Sequence, residues 1–109
     1  MNSQSFNKLV RDKIPRIIEE RGRRAITRTL PDHEYVVELR RKLIEETQEF
    51  IESGTIEELA DILEVVYALA SCLSADPKAL EEARVTKFRE RGGFEEKVLL
   101  IETEGPGSS

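Results

Sequence analysis

Only Gly54 and Thr55 separate two stretches of helical periodicity, one from about residue 32 to about 53 and the next from 56 to about 72. A connection that short obliges two helices to fold back antiparallel. Glycine tolerates the left-handed backbone that ends a helix. Thr55 with Glu58 three residues later forms a capping box that starts the next helix at once. The hairpin brings whatever chemistry its two inner faces carry into one place.

Those faces carry acids. Val36, Leu39, Leu43, Glu46 and Phe50 step by three and four residues, the spacing of one buried seam, so Glu46 occupies a core position. Glu49 lies one turn on and on the same side, while Glu45 and Glu52 lean away from the seam. On the second helix Asp61, Val65, Ala68 and Cys72 form an apolar stripe with an acid at its head, and Glu58 stacks beside Asp61 at i, i+3. That position predicts a desolvated Asp61. Two pairs, Glu46-x-x-Glu49 and Glu58-x-x-Asp61, therefore meet across the hairpin. Crowded carboxylates repel and resist ionisation unless something neutralises them. An all-oxygen set with no soft donor suits Mg²⁺, or Mn²⁺ in its place. The plainer alternative is that these are polar residues of amphipathic helices, paired with Arg40, Arg41 and Lys42. A di-iron bundle would need Glu-x-x-His motifs, and the single histidine, His33, has no Glu three residues before it. His33 reads as a first-turn surface residue.

The rest of the chain frames the hairpin. Leu9, Ile14, Ile17 and Ile18 give residues 8–21 a helical pattern ended by Gly22, with Pro15 requiring a kink or a division into two short helices. Residues 25–30 read as a strand, and 97–103 (KVLLIET) as a second that pairs with it. Pro31 and Asp32 offer the cap for the long helix, and Asp76-Pro77 repeats the signal for a fourth helix ending before Gly92-Gly93. The fold class expected is mainly α: a bundle of about four helices with a small two-stranded β element. Residues 1–104 form one domain and 105–109 a flexible tail.

Composition narrows the function. With 109 residues, 39% hydrophobic and 36% charged, the chain suits one globular domain. No run approaches the roughly 20 apolar residues of a membrane span, so no membrane partner is expected. The N-terminus has no apolar signal core, and one cysteine makes no internal disulfide, so the expected setting is cytoplasmic. Cys72, on the apolar stripe, reads as a small core residue. The net charge of −5 argues against a broad nucleic-acid footprint. The charge is divided: residues 8–28 hold eight bases, and 45–64 hold eight acids and no base. No Walker-type phosphate loop is present.

EETQE at 45–49 and EELAD at 57–61 resemble the ExxE and ExxD signature of the MazG-like, all-α nucleoside triphosphate pyrophosphohydrolases, to which the phosphoribosyl-ATP pyrophosphohydrolases are similar. FNKLVRDKIP at 6–15 and RGGFE at 91–95 resemble the flanks of a small house-cleaning subgroup, and the likeness spans residues 6–102. The resemblance implies a MazG-like bundle and Mg²⁺-dependent cleavage between the α- and β-phosphates of a nucleotide, giving the monophosphate and pyrophosphate. It implies Glu46, Glu49, Glu58 and Asp61 as the metal-binding and catalytic acids. It also implies a homo-oligomer, dimer or tetramer, since such sites are commonly completed by a second subunit. The interval of eight residues between the two acid pairs is shorter than in many members and implies a tight hairpin. Phosphates would need cationic side chains, for which Lys8, Arg11, Lys13, Lys87 and Arg91 are candidates. In support of self-association, Leu59, Ile62, Val66 and Leu69 give the third helix a second apolar face. Two other functions fit the same acids: phosphoribosyl-ATP hydrolysis, and a catalytically silent, oligomeric helical regulatory module.

Overall fold

The computed structural model describes residues 6–107, and among these the backbone forms four helices and no strand: α1 Ile14–Glu20, α2 Asp32–Ser53, α3 Ile56–Cys72 and α4 Pro77–Arg91. The chain is mainly helical, as expected. Local signals set most boundaries. Gly54 takes φ 67°, and its N–H donates to the Phe50 carbonyl at 2.7 Å, ending α2. Thr55 accepts from the Glu58 N–H at 3.4 Å and starts α3. Asp76 accepts from the Ala79 N–H at 2.8 Å, with Pro77 at the first helical position of α4. Proline suits that position, where its missing N–H is not needed.

The first helix is shorter than its periodicity predicts. Pro15 falls in the opening turn of α1, so helix begins at Ile14 and residues 8–13 approach it as an irregular arm. At α2, Pro31 and not Asp32 occupies the cap position; Asp32 and Glu34 lie in the first turn, where negative charge opposes the helix dipole favourably.

The β element is absent among the described residues. Residues 25–30 and 97–103 run without ladder pairing, and Ile26 and Val98 to Ile101 are exposed. A two-stranded ribbon is marginal unless it packs on another layer. Neither segment has one here, because α1 packs against no other helix and α4 meets only α3. Gly105 to Gly107 are exposed and outside regular structure, while residues 1–5 and 108–109 lie outside the described set. No helix of the described residues is long and apolar enough to cross a membrane.

Packing is concentrated in the hairpin. α2 lies along α3, with Leu39 and Val65 buried between them and Val36, Leu43 and Phe50 half-buried along the seam, while Ala70 is buried on another face of α3. Glu46 is buried in the same seam, as its spacing predicts. Cys72 is exposed rather than core, since its stripe runs out at the open end of the hairpin. The outer faces stay uncovered: Val37, Ile44 and Ile51 on α2, and Ile56, Leu59 and Leu63 on α3, are all exposed. A radius of gyration of 19.3 Å exceeds the roughly 13 Å of a compact domain of about 100 residues.

The hairpin turn offers a direct test. Gly54→Ala places a Cβ in open space but on a left-handed backbone, so the expected cost is about 1 kcal/mol from backbone strain alone. Gly54→Asn should cost less, because asparagine tolerates that conformation. Urea titration of both variants against wild type measures the difference; equal stabilities would show that the turn is not held as described.

Candidate metal centre

The acids converge near the closed end of the hairpin, where the turn keeps the two helices from separating. Oxygens of Glu46, Glu58 and Asp61 all lie within 4.8 Å of one another, and a second group joins Glu45, Glu46 and Glu49 through the shared Glu46. Of the four acids expected at the site, Glu46, Glu58 and Asp61 meet directly and Glu49 adjoins them. Glu45, expected to lean away, is a fifth member. The i, i+4 step from Glu45 to Glu49 could have revealed it.

Cations neutralise part of this charge. Lys42 Nζ lies 3.3 Å from Glu45 and 3.2 Å from Glu46, with its side chain largely buried. Burial alone would lower the Lys42 pKa, but its hydrogen bonds to Glu46 and Glu45 outweigh that and hold it above the ordinary value. Arg11 Nη2 donates to Asp61 Oδ1 at 2.6 Å, and Lys8 Nζ approaches Glu45 at 3.7 Å. Sequence spacing signals the Lys42 contacts, one turn apart. It gives no sign of the Arg11 contact, which spans 50 residues.

The remaining basic candidates are not brought to the acids. Lys13 stands at the start of α1, and Lys87 and Arg91 lie on α4; all three are exposed and none pairs with a site acid among the described residues. Pairing of helix acids with neighbouring bases also occurs, but through Lys42 on Glu45 and Glu46 and through Arg41 on Glu38.

Five carboxylates thus meet three cations, leaving Glu49 and Glu58 without a cationic partner among the described residues. The strain is visible at Glu58. Loss of solvent raises its pKa, and the neighbouring carboxylates of Glu49, Glu46 and Asp61 raise it further. Glu46 Oε2 and Glu58 Oε2 are buried with no hydrogen-bond partner. Asp61, by contrast, keeps a side chain 39% exposed and an arginine partner, so the desolvated acids are Glu46 and Glu58 rather than Asp61.

This donor set fits a hard divalent cation. Opposite ligands of an octahedral Mg²⁺ stand about 4.2 Å apart and adjacent ones closer, so small side-chain rotations would close the observed cluster onto one ion. Two orphaned buried oxygens are what such an ion would satisfy, and its charge would match the two carboxylates, Glu49 and Glu58, that lack a cationic partner among the described residues. No protein-family model, curated protein or solved structure matches the chain.

A raised carboxylate pKa has a defined effect on stability. Folded Glu58 holds its proton more tightly than the unfolded chain does, so its contribution favours folding at low pH. That contribution is lost as pH rises from the ordinary carboxylate value, about 4.3, through the raised folded value. Metal-free Glu58→Gln is therefore expected to melt near the wild type at low pH and above it at neutral pH. Thermal melts in a chelating buffer across that range check this; a constant offset would mean that Glu58 is not strained.

Proposed function

We propose that the chain is a metal-dependent nucleotide pyrophosphohydrolase that cleaves between the α- and β-phosphates, releasing a nucleoside monophosphate and pyrophosphate. The observation that carries this reading is the pair of buried, unpartnered oxygens on Glu46 and Glu58, two acids whose carboxylates come within 4.8 Å of each other across the hairpin. The sequence likeness of the two acid pairs and of both flanks to the MazG-like enzymes supplies the reaction class. Glu46, Glu49, Glu58 and Asp61 would hold Mg²⁺, or Mn²⁺ in its place. The bound ion would screen the carboxylates from the substrate's phosphates and polarise a phosphoryl oxygen.

The chain's own residues do the remainder. Water adds to one of the two phosphorus atoms flanking the bridging oxygen, the bridging P–O bond breaks, and the proton of the attacking water passes to a site carboxylate. Lys8 and Arg11 stand at the acid cluster, which supports their receiving the phosphate oxygens. Lys13, Lys87 and Arg91 would join them only if the first helix and α4 close onto the hairpin. The substrates proposed are non-canonical nucleotides, in a house-cleaning role within the cytoplasm. The uncovered apolar residues on α2 and α3 support assembly as a homo-oligomer.

One observation favours a second reading, a silent helical module: Lys42 and Arg11 already neutralise Glu46 and Asp61 without a metal. Pyrophosphate release from a nucleotide panel that includes phosphoribosyl-ATP separates these functions. Activity is expected with Mg²⁺ and is expected to vanish with EDTA. Glu46→Gln should lower it at least about 100-fold, the upper end for groups that support a metal site. Glu52→Gln, on an exposed residue, should leave it within about twofold. Full turnover after chelation would exclude the metal-dependent mechanism.

Self-association has its own check. Light scattering at micromolar concentration is expected to give a mass of at least two chains. Substituting lysine at Ile44 and Leu63, both exposed here, should shift the population toward the single chain. A monomer throughout would exclude the oligomer.

A further inference from the structure

Arg11 belongs to an arm with no regular structure, yet it makes the longest-range ion pair at the acid cluster. Its contact is a single donor, Nη2, on a single acceptor, Asp61 Oδ1. A guanidinium carries five N–H donors and can grip a carboxylate with two at once, so most of its capacity is unspent. Both partners are about half exposed, with side chains 54% and 39% accessible, a setting in which an ion pair is weak and easily exchanged. Lys42 differs: its side chain is only 17% exposed, it lies on α2 itself, and it bridges Glu45 and Glu46. Lys42 is built into the helix pair, whereas Arg11 is laid across it.

We infer that Arg11 is an exchangeable stand-in for the metal's charge: it neutralises Asp61 while the site is metal-free and transfers to a substrate phosphate once a divalent cation takes Asp61. This inference rests on the metal-dependent reading of the site. Geometry gives the direction of exchange. Asp61 Oδ1, 2.6 Å from the guanidinium, belongs to the carboxylate that joins Glu46 and Glu58 in the cluster. A cation seated among those three acids would face the guanidinium at close range, and like charges repel. A cation held there would attract polyphosphate, and the displaced Arg11 would then have new anionic acceptors beside it. Arg11 is exposed on a segment without regular structure, so its side chain can make that short move by rotation alone. Metal and phosphate would thus bind cooperatively, because the first releases the group that holds the second.

A competing role predicts the opposite sign. If Arg11 instead orients Asp61 as a supporting partner of a metal ligand, its removal would weaken metal binding. Mn²⁺ titration of the full chain, followed by electron paramagnetic resonance without nucleotide, reads this directly. Arg11→Gln is expected to bind Mn²⁺ about two- to fivefold more tightly than wild type, the range of a half-exposed ion pair. In hydrolysis at saturating metal the same variant is expected to raise KM about tenfold or more, the value of a charge-assisted contact to phosphate. Arg11→Lys should fall between the two in both assays. Arg16→Gln removes the same charge from an exposed pair with Glu20 and is expected to change neither, which controls for net charge. Unchanged or weaker Mn²⁺ binding by Arg11→Gln overturns the exchange while leaving the metal site standing. Absence of Mn²⁺ binding by the wild-type chain overturns the metal site and the exchange together.

Discussion

Glu46 stands where an apolar side chain would complete the seam between α2 and α3, and it is only 6% exposed there. Burying a carboxylate costs several kcal/mol even after the protein relaxes, against the roughly 1.5–3 kcal/mol that a fully buried leucine returns. Lys42, one turn away, offsets part of that cost, but one oxygen of Glu46 remains unpartnered. Glu58 faces it from α3 and, with Glu49 and Asp61 beside it, holds its proton more tightly than a solvated carboxylate. The closed end of the hairpin therefore stores electrostatic repulsion, and the chain's most strongly specified turn lies within a few residues of it.

That proximity is structurally meaningful. A repelling cluster at the open end of two helices could relieve itself by letting them splay. Here Gly54 and the Thr55 cap join the helices directly beyond Glu49 and before Glu58, so splaying would break the turn. The carboxylates stay close because the backbone gives them no escape. At the other end, Asp32, Tyr35 and Val36 on α2 face Ala68, Ser71 and Cys72 around an open groove of about 330 Å³. Along an ideal helix Tyr35 is about 16.5 Å from Glu46, so the groove and the acids occupy separate parts of the hairpin.

What was legible in the sequence divides by range. The hairpin, α4 and the core position of Glu46 follow from signals within a few residues: Gly54, Thr55 with Glu58, Asp76 with Pro77, and the three-four spacing of the seam. The two-stranded element failed because local β pattern says nothing about whether a layer exists to support it. The periodicity of residues 8–21 presents Pro15 as an interruption, whereas it stands in the opening turn of the helix. In the site, convergence of Glu46, Glu58 and Asp61 was legible once the hairpin was granted, whereas the identity of the desolvated acid was not. Asp61 heads an apolar stripe, but Arg11 arrives from 50 residues away to pair with it, and only tertiary structure places it there.

The described fold leaves two sources of instability that one chain does not resolve. Its buried apolar residues are few, Leu39, Val65 and Ala70, and its acid cluster is under-neutralised by two charges. Covering the outer faces of α2 and α3 would relieve the first, and a divalent cation between them, as proposed, would relieve the second. Both would act on the same two helices, which would couple them. A ligand present at 100 times its Kd adds about 2.7 kcal/mol to stability, a large fraction of what a small domain possesses. Neutralising the closed end would let α2 and α3 hold their relative position, and with it the exposed apolar faces that a second copy would cover. Conversely, a partner lying along those faces raises the cost of helix separation and preorganises the carboxylates for an ion. On the proposed reading, metal affinity and assembly would both depend on one quantity, the free energy of holding the α2 and α3 carboxylates together.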